Sequence, residues 1–338
     1  MTDPEKSKHS IPLFAMKKLS AYPYLHDRAR CYHSTKSHQN RPDLCYCPLA
    51  NTLDRLLAGP EGSPPPINIH EKGGLTELIE LTAVLIYLHL DGIYVFDASL
   101  FGELIDMPFI GDIPMSELRQ FPESCVYIQA PVVFEGCMAL GFFAWLEYAP
   151  DSPQSTNVDF IIVFRMPDDS LIPRYYPLDG PRPQAGAMEA VKENAMSRQF
   201  RSINSLLPGE IEPLPESLKP LFHLLLYINS ESADIFKPIA QKLKPGMASF
   251  GPTGVWKAGF RIGNVLRKFK NAVLSEWNEA AAADAARHPP YIRRAHWHTY
   301  WIGSVKNDTR HKVARWMPFI PVGLDWEREL PVIARPVK

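Results

Sequence analysis

The sequence predicts an α+β protein with a helical N-terminal part, a central antiparallel β-meander, and a C-terminal amphipathic helix plus an aromatic-rich β-hairpin. Three observations point there. Residues 77–90 are apolar on nearly every side, as a buried helix requires. Residues 125–176 hold four runs rich in Val, Ile, Phe and Tyr, separated by Pro, Asp or Gly. Residues 254–278 repeat apolar side chains at helical spacing, and the stretch after them alternates with period two.

The elements follow in order. A chain of 338 residues can bury a large core, and its 33 prolines, about twice the usual share, favour short elements joined by rigid loops. Residues 1–66 read as a polar, partly disordered N-terminal segment and linker, ending in the GPEGSPPP loop. Residues 67–338 read as a single α+β domain: an acidic body over 67–254, a basic helix–hairpin part over 255–318, and a tail over 319–338. Thr76 caps the helix whose body is 77–90, Glu77 and Glu80 suit its first turn, and Asp91-Gly92 ends it. A strand over 93–96 and a helix capped by Asp97 come next. The meander has strands at 125–128, 137–148, 158–164 and 172–176, one packed face, and a turn at Asp168-Asp169. Cys125 and Cys137 fall in these strands as small core residues. From Met188 the helical period takes over, with helices expected at 220–228 and 235–243. The helix over 254–278 places Ile262, Leu266, Phe269, Val273 and Trp277 on one side, and Lys257, Arg261, Asn264, Lys268 and Asn271 on the other.

The stretch 291–318 is the most informative for function. It packs three Trp, two Tyr, three His and six Arg or Lys into 28 residues, with Asp308 its one acidic residue. Read as a strand from Tyr291, it puts Arg294, His296, His298 and Tyr300 on one face and Arg293, Trp297 and Trp301 on the other. Residues 306–309 signal a turn and 311–317 a return strand. With Asn307-Asp308 central, Tyr300 would face Arg315, and His298 would face Met317. Aromatic planes interleaved with guanidinium and imidazole suit stacking, phosphate bridging or the grip of an extended peptide. Arg293, Arg294, His296, Trp297, His298, Tyr300, Trp301, Arg315 and Trp316 are therefore the candidate binding residues.

Charge is unevenly distributed behind a net value of −1. Residues 255–316 carry 12 Lys or Arg against 4 Asp or Glu, and residues 1–60 carry 9 against 5. The stretch 61–254 is left with a net −13. A basic C-terminal region favours an anionic partner such as RNA or the ribosome, with Lys257, Arg261 and Lys268 as the expected contacts. The alternative is that acidic and basic regions neutralise each other internally.

Several function classes lose support. No apolar run reaches the roughly 18 residues of a membrane span, and MTDPEKSKHS lacks a secretory pattern, so a cytoplasmic protein without a membrane partner is expected. Walker, dinucleotide, HExxH and nucleophile-elbow motifs are absent, and no cofactor is expected. Cys31, His33, His38, Cys45 and Cys47 invite a zinc reading. Their spacings are tighter than those of ordinary zinc knuckles, so Cys31, His33, Cys45 and Cys47 stand only as an alternative metal site. His296 and His298 form an alternative catalytic pair for metal-independent RNA cleavage.

The run PYIRRAHWHTYWIG at 290–303, followed by VARWMP at 313–318, resembles a type V-A anti-CRISPR family, with weaker similarity over 125–180 and 259–269. The resemblance is to members that block production of the type V-A CRISPR effector nuclease. It implies recognition of the effector's nascent N-terminal peptide and translation-dependent loss of its mRNA. It further implies a non-enzymatic protein carried by mobile elements and acting in the bacterial host cytoplasm. The N-terminal Cys/His cluster lies outside the resemblance.

Overall fold

The structure is a computed structural model. It describes residues 73–88, 90, 92–107, 125–148, 158–177, 218–237, 254–280, 291–306 and 309–322, with isolated positions between 17 and 67. The α+β class holds, with helices alongside mixed and antiparallel sheets. The chain divides into two compact units. One holds 1–95, 112–218 and 236–257, the other 96–111, 219–235 and 258–338.

The first unit is built on a seven-stranded sheet ordered β7-β6-β5-β2-β1-β9-β8. Its strands are β1 (Gly92–Phe96), β2 (Val126–Gln129), β5 (Gly141–Tyr148), β6 (Val158–Arg165), β7 (Leu171–Pro177), β8 (Ile235–Phe236) and β9 (Gly254–Ala258). The expected meander is β2-β5-β6-β7, antiparallel throughout, with Trp145 opposite Ile161 and Ile161 opposite Tyr175. The sheet is mixed because β1 pairs with β2 in parallel, Tyr94 against Ile128.

Helix α1 (Gly74–Tyr87) is buried on almost all sides, as its composition predicts. Its start differs: Gly73 is the N-cap, in the left-handed region at φ 90°, and no side chain caps the helix. Leu81, Leu85 and Tyr87 share a core with Tyr127, Phe143, Trp145, Ile161 and Val163. The segment before 67, to which composition assigns no core, also contributes Leu19, Leu25, Leu49 and Leu56.

One packed face was expected for the meander, but β5 and β6 are buried on both, Phe142 through Leu146 and Phe160 through Phe164. Continuous apolar runs such as Phe-Ile-Ile-Val-Phe leave neither face fit for water. The second face is covered by the hairpin β3 (Val132–Phe134) and β4 (Cys137–Ala139), whose Phe134 ring stacks on Phe164 at 4.1 Å. The single strand expected over 137–148 is therefore two, split at Leu140. Cys125 is buried as expected, whereas Cys137 beside the Gly136 turn is exposed. Asp168-Asp169 is the predicted turn: Asp169 has φ 62°, and Asp168 accepts from the Ser170 amide at 3.0 Å.

The second unit contains α2 (Ala98–Ile105), α3 (Lys219–Asn229), α4 (Phe260–Ala280), and the strands β10 (Tyr291–Arg293), β11 (His296–Ile302), β12 (His311–Met317) and β13 (Ile320–Val322). Asp97 caps α2 as predicted, its carboxylate accepting from the Ser99 amide at 2.9 Å. The helix expected over 235–243 is instead the strand β8 at its start, and 238–243 lie outside the described residues. The helix expected from 254 begins only at Phe260. Gly254–Ala258 is strand, and Gly259, at φ +72° with Leu100 where a Cβ would stand, turns the chain into the helix. No helix among the described residues is long and apolar enough to cross a membrane.

Candidate functional site

The aromatic segment is not one strand but two ladders separated at Arg294-Ala295. β10 pairs with β13, Arg293 opposite Ile320, and β11 pairs with β12. The β11–β12 register differs from the expected one by two residues: His296 faces Met317, His298 faces Arg315, and Tyr300 faces Val313. The centre of the hairpin falls between Lys306 and Asn307, one position earlier than the turn signal implies, and the Thr309 amide closes on the Ser304 carbonyl at 3.2 Å. An even shift keeps every side chain on its expected face.

One face holds the hairpin to its unit. Trp297 and Trp316 are direct cross-strand partners, 7% and 3% exposed. Trp316 meets Tyr227 of α3 edge-on at 5.0 Å. The Trp297 indole N–H donates to Nδ1 of His223 at 3.0 Å. That bond fixes the neutral imidazole with its proton on Nε2. His223 is wholly buried, and desolvation pushes its pKa down from 6.5 to about 4, with the Met107 backbone working against the shift. Two of the nine candidate binding residues, Trp297 and Trp316, are thus anchors in the core.

The other face is open. The His298 and Tyr300 rings lie 4.3 Å apart at 31°, and the Arg315 guanidinium sits 5.9 Å from the Tyr300 ring centre. His296 is half-buried, 6.4 Å from His298 between ring centres, and its Nδ1 lies 3.3 Å from the Arg294 carbonyl. Towards the tip, on the tryptophan face but beyond the core, Trp301 is 51% exposed with the Arg310 guanidinium 4.7 Å from its ring centre. The predicted alternation therefore holds, but the two tryptophans of β11 differ in environment.

The basic helix behaves otherwise. Arg261 pairs with Asp234 at 2.5 Å, Arg267 with Asp97 at 2.8 Å, and Lys270 with Glu103 at 3.1 Å. Asp234 also caps α4, accepting from the Arg261 amide at 2.8 Å, while its own amide donates to the Tyr227 hydroxyl at 2.9 Å. Internal carboxylates thus take up much of the helix charge. Of the expected RNA contacts, Arg261 is so engaged, Lys257 lies on β9 rather than on the helix, and Lys268 is exposed. Arg293, Arg294, Arg310 and Arg315 of the hairpin region are exposed, with no ion pair among the described residues.

No group of three His, Cys, Asp or Glu among the described residues is placed to hold a metal, and Cys31, His33, Cys45 and Cys47 lie outside them. Arg294 lines a cavity of about 100 Å³ with Glu103, Asp106, Met107, Ala295 and Phe319. That is below the range of ordinary small-molecule sites, about 300–1,000 Å³. His296 and His298 stand on an open strand face. The arrangement is an open strand face above a buried aromatic foot.

The family model described as AcrVA2-like, the anti-CRISPR type V subtype A2 family, matches residues 94–324, from β1 to just past β13. Among solved structures the chain is similar to one described as the crystal structure of AcrVA2. Identity is 19%, coverage 90% of this chain and 96% of that chain, and the TM-score 0.54, a likeness of fold. No curated protein matches.

Proposed function

The chain belongs to the anti-CRISPR type V subtype A2 family, and we propose that it suppresses synthesis of a type V-A effector nuclease by binding the effector's N-terminal peptide as it leaves the ribosome. On this reading it acts in the cytoplasm of the bacterial host, and the bound message is lost with translation. The observation that carries the reading is the β11–β12 hairpin, whose two outer edges have no strand partner among the described residues. An emerging N-terminus is extended and unfolded, and its main chain can add to such an edge. Side chains on alternate positions would then meet His298, Tyr300 and Arg315 on the open face. The fixed foot of Trp297, Trp316, His223 and Tyr227 lets the edge be presented without ordering it first.

The test is binding of the full-length protein to a synthetic N-terminal peptide of a type V-A effector, beside a scrambled peptide of the same composition. Selective binding that weakens in Tyr300→Ala and Arg315→Ala supports the reading. Equal affinity for both peptides removes it.

A further inference from the structure

We propose that the exposed end of the β11–β12 hairpin also binds single-stranded RNA through its side-chain faces, of which His298, Tyr300 and Arg315 would be shared with peptide capture and Trp301 and Arg310 would serve RNA alone. Two aromatic–arginine clusters mark that end. On one face the Tyr300 and His298 rings lie 4.3 Å apart with Arg315 beside them. On the other, Trp301 is half-exposed beneath Arg310. Exposed aromatic planes give bases a stacking partner whatever their sequence, and guanidinium groups bridge the phosphates between them.

Charge decides the class of partner. Three cations of α4 are matched by Asp97, Glu103 and Asp234 within their own unit. None of the four hairpin-region arginines is so matched among the described residues, and over 291–322 the sequence offers a single carboxylate, Asp308. A surface left this positive and this aromatic attracts a polyanion that carries rings. A duplex hides its base faces, whereas a single strand presents them, so the clusters favour the single strand.

The test uses the full-length protein and a fluorescein-labelled RNA of about 12 nucleotides, single-stranded or as a duplex, titrated by anisotropy across about 50–200 mM salt. The expected result is tighter binding to the single strand, with Trp301→Ala and Tyr300→Ala each weakening it about tenfold. Arg310→Gln and Arg315→Gln, exposed changes that leave the core alone, should each reduce the salt slope by about 0.7. Absence of saturable binding at the lowest salt overturns the proposal. So does an Arg310→Gln/Arg315→Gln double variant with unchanged affinity and slope. Binding to anionic phospholipid vesicles but not to RNA overturns it too, and assigns the basic aromatic tip to a lipid surface.

Discussion

The bond between His223 and Trp297 makes the attachment of the hairpin sensitive to acid. The His223 ring is fully buried, and burial lowers its pKa from 6.5 to about 4. The folded state therefore resists a proton that the unfolded chain accepts readily. Its contribution to stability is complete above about pH 6.5, falls as the pH drops towards 4, and is lost below that. Each pH unit of separation is worth about 1.4 kcal/mol, so the whole effect is about 3 kcal/mol. That is a large share of the roughly 5–15 kcal/mol that holds a typical domain together. Protonating Nδ1 also turns the acceptor of the Trp297 N–H into a second donor. Urea unfolding of wild type and His223→Gln, measured from pH 7.5 to 4 by far-UV circular dichroism, separates this group from the carboxylates common to both. Gln keeps an acceptor for the indole and has no proton to gain. Wild type should lose about 3 kcal/mol more than the variant over that range. Parallel stability curves would show that His223 is not held neutral by the fold.

Other expectations follow from the packing. Trp316→Ala, at a site 3% exposed, should destabilise the second unit by about 3–5 kcal/mol in thermal or urea unfolding. Gly263→Ala would drive a methyl group into the Asp97 carboxylate that caps α2 and pairs with Arg267, and should cost about 1–3 kcal/mol in the same assay. Phe134→Ala unstacks Phe164 and opens one face of the sheet, and a loss of about 3–5 kcal/mol is expected. His298→Ala, on the open face, should move stability by no more than about 0.5 kcal/mol while weakening peptide binding. A large fall in its melting temperature would instead make His298 a structural residue.

Much of this architecture was legible because its signals are local. The Val-, Ile-, Phe- and Tyr-rich runs of the meander, period two in the hairpin, and the 3.6-residue period of Ile262, Leu266 and Phe269 are each written within a few residues of one another. The Asp97 cap reads directly from its place before α2. What escaped depends on residues far apart in the chain. Asp234 caps α4 from outside it, and His223 meets Trp297 across 74 positions. The strand Gly254–Ala258 merged with the helix after it because only the left-handed turn at Gly259 separates them. Face assignments survived the two-residue register error, yet alternation alone could not show that Trp297 is buried while Trp301 is half-exposed. Likewise, counting charges marked the helix as basic without revealing that Asp97, Glu103 and Asp234 answer three of its cations.

The central claim, that the effector's emerging peptide is what the protein recognises, is tested most directly in cells. A reporter gene would carry the effector's N-terminal coding segment, in frame or shifted by one nucleotide with the downstream frame restored. The two messages are nearly identical as RNA and differ in the peptide they make. With the anti-CRISPR expressed, the in-frame message should fall and the shifted one persist. Equal loss of both would mean that the RNA, not the peptide, is the target.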